Sequence, residues 1–262
     1  MKQLASRRKL IIANWKMHLN MHQASLLLHK LSEKTPVHRD VEVVVAPNFL
    51  VLQSLNLQVN HRQFKLAAQN CYWRDEGAYT GEISATMLRG LVTYVLVGHS
   101  ERRHVFNEHP DEMRHKVQAV LRNNMSPVLC VGETARERAD RETLHVLHDQ
   151  VVNGLANVTS EEIHNLVIAY EPVWAIGSGD PVTQADLERV STTIRKQIDA
   201  LYGAKAATAV RLLYGGSVTA ENCNQFMAVD GIDGLLVGGA SLKAEEFASI
   251  VKKAHTNNKE KG

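Results

Sequence analysis

The sequence predicts an α/β fold in which eight parallel strands alternate with helices, and three observations support this class. Eight short runs rich in apolar and β-branched residues recur along the chain, and segments with apolar residues at helical spacing separate them. The runs are nearly continuous rather than alternating, which is typical of parallel strands buried on both faces. Their starts lie about 32 residues apart on average, which matches the length of a βαβ unit.

The eight predicted strands follow one another without a linker. In chain order they are Lys9 to Ala13, Val41 to Ala46, Phe64 to Ala68, Tyr94 to Val97, Pro127 to Val131, Leu166 to Tyr170, Val210 to Tyr214 and Gly234 to Val237. With right-handed crossovers, such a series either closes into a barrel or forms an open doubly wound sheet, and periodicity alone admits both.

Helix signals fill the intervals between the strands. Pro110, followed by two acidic residues that suit a helix N-terminus, opens a segment with apolar residues at helical spacing, and Asn123 with Asn124 closes it. A second such segment begins at Thr183 and stops at Gly203. Both segments are predicted to bury one apolar stripe against the sheet.

Composition and charge narrow the class of protein. The 262 residues are 44% hydrophobic and 22% charged, which fits a globular protein with a full core and excludes disordered and collagen-like chains. A formal charge of +2 is too small to suggest nucleic acid or an anionic membrane as the main partner. We expect one domain over residues 1–262, with a short basic extension over 1–8 and a polar tail over 255–262.

The cysteines indicate the redox compartment. Cys71, Cys130 and Cys223 are far apart and lack Cys-x-x-Cys spacing, so neither a disulfide framework nor a thiolate metal site is indicated. We therefore expect a cytoplasmic protein. No apolar run approaches the roughly 18 residues needed to span a bilayer, and we interpret the basic start as a short extension rather than a transit peptide.

Thirteen histidines raise the question of a metal site. His18 with His22, and His145 with His148, have helical spacing, but no carboxylate or cysteine completes either pair. We therefore expect surface histidines and no metal. A Gly-x-Ser-x-Gly motif and a complete dinucleotide-binding glycine motif are both absent, so covalent and hydride chemistry are not favoured.

Polar and small residues follow the carboxyl end of every predicted strand, whereas the amino ends show no such pattern. These residues are Asn14-Trp15-Lys16, Pro47-Asn48, Gln69-Asn70, His99-Ser100-Glu101-Arg102, Gly132-Glu133, Glu171-Pro172, Gly215-Gly216-Ser217 and Gly238-Gly239. In a barrel all eight carboxyl ends meet at one face, where the active sites of such folds lie. A barrel would therefore bring Asn14, Lys16, His99 and Glu171 together.

Five motifs in the same order resemble those of the triosephosphate isomerase family. They are Asn14-Trp15-Lys16, Gly98 to Arg102, Ala169 to Gly177, Tyr214 to Ser217 and Val237 to Gly239, and the similarity spans roughly Lys9 to Lys252. The resemblance implies a single (β/α)8 TIM barrel. It also implies a cofactor-free isomerase that interconverts dihydroxyacetone phosphate and D-glyceraldehyde 3-phosphate through an enediol(ate), in glycolysis and gluconeogenesis.

The resemblance assigns four catalytic roles. Glu171 is the base that moves a proton between neighbouring carbons, and His99 is the neutral electrophile that polarises the carbonyl. Lys16 holds the anionic substrate and Asn14 orients it. Taken alone, each of the first three has a plainer interpretation: Glu171 as a solvated carboxylate, His99 as a core histidine and Lys16 as a surface lysine.

The resemblance also predicts a phosphate site and a positioning carboxylate. The phosphate-binding set comprises Asn14, Lys16, Gly177, Ser217, Gly238 and Gly239. Glycine pairs after the seventh and eighth strands let backbone N–H groups approach an anion, although turn formation explains most such pairs. Glu101 is similar to the family carboxylate that positions the lysine, and its alternative is an ion pair with Arg102 or Arg103.

Two loops have roles by resemblance. Residues 172–179 resemble the family lid, in which Ser178 replaces the usual threonine, and Asp180-Pro181-Val182 departs from the usual hinge. These departures bear on lid opening rather than on the chemistry. The segment from Cys71 to Glu82, which contains Gly77 to Glu82, is similar to the family's interface loop, and this implies a homodimer with Thr80 near the partner's catalytic asparagine and lysine. A flexible surface loop is the alternative.

Two other functions remain open from the sequence. One is a barrel retained for binding, as an adhesion or regulatory protein, and the other is a different phosphate-binding barrel isomerase or epimerase. The presence of all four predicted catalytic residues favours an enzyme over a barrel that has lost catalysis.

Overall fold

The computed structural model describes residues 8–177 and 180–260, and for residues 257–260 it describes the backbone alone. Three parts of the predictions lie outside these residues: positions 1–7 of the basic extension, Ser178 and Gly179 of the lid, and positions 261–262 of the tail. Within the described ranges, no helix is both long enough and apolar enough to cross a membrane.

Eight parallel strands pair in chain order and close into a barrel. They are β1 (Lys9–Asn14), β2 (Val41–Ala46), β3 (Phe64–Ala68), β4 (Tyr94–Val97), β5 (Ser126–Val131), β6 (Val167–Tyr170), β7 (Arg211–Tyr214) and β8 (Gly234–Val237). Every predicted strand is confirmed, with ends that differ by no more than one residue. Because β8 pairs with β1, the closed barrel is confirmed and the open doubly wound sheet is wrong.

Helices connect the strands and pack around the barrel. They are α1 (Met21–Lys34), α2 (Phe49–Gln58), α3 (Ala85–Leu88), α4 (Ser100–His104), α5 (Pro110–Arg122), α6 (Ala135–Ala139), α7 (Thr143–Leu155), α8 (Gln184–Tyr202), α9 (Ala204–Ala209), α10 (Cys223–Met227) and α11 (Ala244–Glu260). Short 3-10 segments occur at Glu162–Asn165, Val173–Ala175 and Gly239–Leu242.

The two helices identified from the sequence form with the predicted ends. α5 begins at Pro110, and Asn124 adopts a left-handed φ of 58° just after the helix ends. At the start of α8, the Asp186 N–H donates to the hydroxyl of Thr183 at 3.1 Å. Gly203, with a φ of 84°, ends that helix, because glycine adopts the left-handed region without a steric penalty.

The last helix, α11, continues through Glu260 and so includes residues 255–260 of the predicted polar tail. Its preceding turns bury Phe247, Ile250 and Val251 in the core. Adding residues to a helix that is already anchored costs little, because nucleation is the unfavourable step. This packing extends helical order into a segment whose composition alone suggests a tail.

Two buried apolar layers lie on either side of the barrel wall. Leu10 and Ile12 of β1 belong to the inner layer, and Ile11 and Ala13 belong to the layer between the strands and the helices. Strand side chains alternate between the two faces of a sheet. Asn14 therefore follows Leu10 and Ile12 into the barrel interior, at the carboxyl end of β1.

Candidate active site

A cavity of about 290 Å³ opens at the carboxyl ends of the strands. Its lining includes eight residues that the sequence placed in the catalytic and phosphate-binding sets: Asn14, Lys16, His99, Glu171, Gly177, Ser217, Gly238 and Gly239. Glu101 and Thr80 do not line it. The barrel thus brings into one cavity residues that are separated by more than two hundred positions in the sequence.

Asn14 and Lys16 reach the cavity by different routes. Asn14 is the last residue of β1, whereas Lys16 lies beyond the strand with a left-handed φ of 52°. The Lys16 N–H donates to Oδ1 of Asn14 at 3.0 Å, and this hydrogen bond closes a tight turn. The turn directs Lys16 into the cavity, whereas the alternation of strand side chains accounts for Asn14 alone.

Lys16 is paired with the carboxylate of Glu101. Its Nζ donates to Oε1 of Glu101 at 2.6 Å, and the two side chains are 24% and 45% exposed. Partial burial alone would raise the pKa of Glu101, but the hydrogen bond and the charge of Lys16 contribute to a net pKa below its ordinary value. The carboxylate therefore stays ionised near neutral pH and fixes the position of the lysine head group.

The two arginines suggested as alternative partners of Glu101 have other contacts. Arg102 donates to Glu108 at 2.6 Å. Arg103 donates to the carbonyls of Gly98 and Cys130, each at 2.7 Å. The contacts of Arg103 connect the carboxyl ends of β4 and β5. Because both arginines bind elsewhere, Glu101 pairs with Lys16.

A tight turn after β4 positions His99. Gly98 has a φ of 68°, and a Cβ there would lie 2.5 Å from Sδ of Met113, so only glycine fits. His99 caps the N-terminus of α4, where its Nδ1 accepts a hydrogen bond from the Glu101 N–H at 3.3 Å. Because Nδ1 is the acceptor, the neutral imidazole carries its proton on Nε2. That proton is available for donation into the cavity.

The carboxylate of Glu171 faces the His99 ring. Glu171 follows β6 and is 2% exposed. Its Oε1 is 3.2 Å from Nε2 of His99, and its Oε2 accepts a hydrogen bond from the Ser100 N–H at 3.0 Å. The backbone amide of Ser100 has no sequence signal, because any non-proline residue there supplies the same donor.

Glu133 is a buried carboxylate to which the sequence analysis assigned no role. It is fully buried, and it accepts hydrogen bonds from Nε1 of Trp174 at 2.8 Å and from the Tyr170 hydroxyl. The guanidinium carbon of Arg138 lies 3.9 Å from the centre of a Trp174 ring. Glu133 thus anchors the start of the predicted lid. Its position directly after β5 was the sequence signal that could have identified it as a site residue.

Glycines line the side of the cavity formed by β7 and β8. A Cβ on Gly216 would lie 2.2 Å from the Tyr214 hydroxyl, and one on Gly238 would lie 3.5 Å from Cε of Lys16. Gly239 opens a 3-10 segment and has no other heavy atom within 4 Å of where a Cβ would lie. This side of the cavity therefore has room for an anion beside backbone N–H groups and beside the Lys16 charge.

Thr80 lies away from the cavity, in an exposed segment after β3. A hydrogen bond from the Tyr72 N–H to the Ile83 carbonyl, at 2.7 Å, closes the base of this segment. The rings of Tyr72 and Tyr79 are 4.5 Å apart. Internal contacts therefore give the segment a definite shape.

Comparison with known proteins shows which family this chain resembles over its length. A model of the triosephosphate isomerase family matches residues 9–254. A triosephosphate isomerase from Thermoanaerobacter sp. (strain X514) is 45% identical over 248 residues, which cover 94% of this chain and 99% of the relative. Triosephosphate isomerases from Trichlorobacter lovleyi and Dictyoglomus turgidum are 42% and 41% identical over 247 residues, again over 94% of this chain and 98% and 99% of the relatives.

Proposed function

The chain belongs to the triosephosphate isomerase family, and from this premise we propose how its own residues carry out the reaction. The enzyme is an aldose-ketose isomerase that interconverts dihydroxyacetone phosphate and D-glyceraldehyde 3-phosphate, a step of glycolysis. One observation carries the residue assignment. The Glu171 carboxylate lies 3.2 Å from Nε2 of His99, in a cavity that Lys16 also lines.

Glu171 is the base. It takes a proton from C1 of dihydroxyacetone phosphate, and the C–H electron pair forms the C1–C2 double bond of the enediolate. The same carboxyl group then returns a proton to C2, which yields the aldehyde. Both steps require the carboxylate to reach two adjacent carbons, and its place at the end of β6 beside the cavity supports this role.

His99 serves the oxygens of the substrate. Its Nε2–H donates to the carbonyl oxygen as negative charge develops there, and the ring then moves protons between the two oxygens. The hydrogen bond that Nδ1 accepts from the Glu101 N–H supports this tautomer. A neutral imidazole in this position suits proton exchange with an enediolate.

Lys16 supplies the fixed positive charge of the site. Its pairing with Glu101 holds the ammonium group beside Gly238, which directly follows β8, where it attracts the phosphate and the developing enediolate. Asn14 orients the substrate and also holds the turn that carries Lys16. Backbone N–H groups at Gly177, Ser217, Gly238 and Gly239 complete the proposed phosphate site. These proton transfers need no cofactor.

Residues 172–179 act as a lid over the cavity, with Asp180-Pro181-Val182 as a hinge. The contacts of Trp174 with Glu133 and Arg138 support a defined position for the start of this segment. A closed lid excludes water and holds the enediolate phosphate in the site. This matters because an enediol phosphate that escapes control eliminates its phosphate.

A twofold homodimer completes the proposal. Met17 is 94% exposed, and Met87, Val105 and Phe106 are also largely exposed. All four lie in segments that follow β1, β3 or β4, as does the loop with Thr80. Such exposed apolar residues at neighbouring strand ends favour a self-complementary interface. Thr80 would then lie near the partner subunit's catalytic asparagine and lysine, and equilibrium sedimentation at dilute concentration tests the dimer.

The cytoplasm is the proposed location. The three cysteines are buried and free, which supports a reducing compartment. Glycolysis and gluconeogenesis run there.

The rate of isomerisation of glyceraldehyde 3-phosphate tests the assignment of the base. Glu171→Asp keeps the charge and shortens the side chain by one methylene, so we expect kcat to fall by about 10² or more because proton transfer depends on position. The matched control is Glu161→Asp, at an exposed residue outside the cavity. A folded, dimeric wild type without isomerase activity would instead favour a binding role or another sugar phosphate as substrate.

A further inference from the structure

Two histidines and an aspartate meet on the face of the barrel opposite the active site. His38 lies in the connection between α1 and β2, Asp40 directly precedes β2, and His255 lies on α11. Their potential ligand atoms all lie within 4.8 Å of one another. We call these three residues the 38/40/255 cluster. Only histidine pairs at helical spacing are visible in the sequence, whereas Asp40 and His255 of this cluster are separated by 215 positions.

The backbones of Asp40 and His255 are held by the barrel. The Asp40 carbonyl accepts a hydrogen bond from the Lys9 N–H at 2.9 Å, at the entrance to β1 and β2. Next to His255, Ala254 is fully buried in the core. His38 lies in the loop between α1 and β2, and its ring stacks on that of His255. The backbones of two of the three groups are therefore held in place, and coordination requires the third side chain to rotate.

The present contacts bring the donor atoms close to coordination distance. Nδ1 of His255 is 2.6 Å from Oδ1 of Asp40, and the rings of His38 and His255 are 4.1 Å apart with an angle of 25° between them. Ligand atoms around a tetrahedral ion with bonds of about 2.1 Å lie roughly 3.4 Å apart. Rotation of the His38 ring out of the stack, with a small widening of the His255–Asp40 contact, would direct all three groups at one point.

We propose that the 38/40/255 cluster binds one divalent transition-metal ion of the zinc class. Two imidazole nitrogens and one carboxylate oxygen suit Zn²⁺ or Co²⁺ better than Mg²⁺ or Ca²⁺, which prefer oxygen ligands. The ion would bind between Nδ1 of His255 and Oδ1 of Asp40, where the two atoms now contact each other, and water would take the fourth position. Side-chain exposures of 23% for His255 and 26% for Asp40 leave a path for the ion to enter.

This site lies far from the reacting atoms, and its role is structural. A bound ion would join α11 to the start of β2, and so attach the last helix to the strand that follows α1. The guanidinium of Arg8 donates to the Val41 carbonyl close by, and a positive charge in this position opposes a second cation. We therefore expect weaker binding than in a closed site with four protein ligands.

The test uses the full chain without an affinity tag, after treatment with a chelator. Co²⁺ is titrated into the protein and followed by its visible absorption, and Zn²⁺ is then used to displace it. Wild type should bind one equivalent per chain. His255→Gln and Asp40→Asn should each weaken binding at least tenfold, since even residues that only support metal ligands cost about 10–100-fold. The control His145→Gln/His148→Gln removes an exposed pair and should bind as wild type does.

Thermal unfolding gives a second readout. Zn²⁺ should raise the Tm of the wild type and of the control, but not of His255→Gln or Asp40→Asn, because an ion that binds only the folded state stabilises it. Isomerase activity and circular dichroism show whether each variant is folded. The proposal is overturned if the wild type takes up no stoichiometric Co²⁺, or if a folded His255→Gln binds it as tightly as the wild type.

Discussion

The Glu171 carboxylate accepts a hydrogen bond from the Ser100 backbone N–H at 3.0 Å. His99, the neighbour of Ser100, caps the same short helix and lies 3.2 Å from the other carboxylate oxygen. The proposed base and electrophile are thus both positioned by the N-terminus of α4. The Ser100 amide therefore holds one oxygen of the carboxylate, while the other oxygen faces His99.

Replacing His99 with glutamine removes the proton donor at Nε2. We expect kcat to fall by about 10²–10⁴-fold, the range typical of a lost general acid-base group, with a much smaller change in KM. Steady-state kinetics in both directions measure this. His104→Gln, an exposed residue at the end of the same helix, should retain the wild-type kcat. An unchanged kcat in His99→Gln would contradict the assigned role.

Replacing Lys16 with methionine keeps the length of the side chain and removes its charge. The loss of stabilisation for both the phosphate and the enediolate should lower kcat/KM by about 10²–10³-fold or more. Lys34→Met is the control, since that lysine pairs with Glu245 at 2.5 Å outside the cavity. High salt should weaken substrate binding in the wild type more than in Lys16→Met, and equal salt dependence in both would oppose an electrostatic role.

Two glycine substitutions should separate folding from binding. A Cβ on Gly132 would lie 1.9 Å from the Glu171 carbonyl oxygen, so Gly132→Ala should lower the free energy of unfolding by about 1–3 kcal/mol or more and displace the base. Gly239→Ala meets no such neighbour. It should keep wild-type stability in urea but raise KM, because its methyl group takes space proposed for the phosphate.

Trp174→Phe deletes the N–H that donates to Glu133. Leaving a buried carboxylate with one donor fewer should lower the free energy of unfolding by about 1–3 kcal/mol. We also expect more inorganic phosphate released per isomerisation, since the lid would close less reliably over the enediolate. Urea unfolding and a phosphate-release assay measure the two effects. Wild-type values in both assays would show that the Trp174–Glu133 contact does not position the lid.

The three cysteine thiols should react slowly in the folded protein. Burial raises the pKa of Cys71 from 9.0 to about 12, and burial also raises the pKa of Cys130 and of Cys223. At pH 8, Ellman's reagent should modify the folded chain far more slowly than the chain in denaturant. A thiol that reacts at the same rate in both states would contradict the burial of that residue in solution.

The same pKa shifts predict the direction of a pH effect on stability. The folded protein keeps these thiol protons to a higher pH than the unfolded chain does. Their contribution is therefore fully present below the ordinary pKa of 9.0 and declines as the pH rises from there toward about 12. Urea midpoints at pH 8 and pH 10 measure the change. Cys71→Ala should reduce this pH dependence.

Local patterns predicted most of the fold. The strands were predictable because continuous apolar runs recur at the βαβ length, and Thr183, Gly203 and Pro110 mark helix ends through short-range backbone chemistry. Seven of the eight predicted residues that line the cavity were predictable because the ends of parallel strands meet at one face, whereas Gly177 was predicted from the family resemblance alone. In these cases the signal lies within a few residues of the feature.

The remaining features depend on distant contacts. The turn at Lys16 depends on a hydrogen bond from the Lys16 N–H to the Asn14 side chain, which the strand pattern does not reveal. Glu133 acquires its contacts only when β5 and β6 are adjacent. The helical state of residues 255–260 follows from packing of the earlier turns of α11. Amino-acid composition and residue spacing do not reveal such tertiary contacts.

The seam between β8 and β1 has a consequence for synthesis of the chain. A Cβ on Gly234 would lie 1.8 Å from the Leu10 carbonyl oxygen, and the buried Lys9 ammonium donates to the Ile232 carbonyl, 223 positions away. The open edge of β1 therefore stays unpaired until β8 has been synthesised. On the ribosome, the half-made protein would expose that edge for most of translation, and catalysis could begin only after nearly the whole chain has emerged.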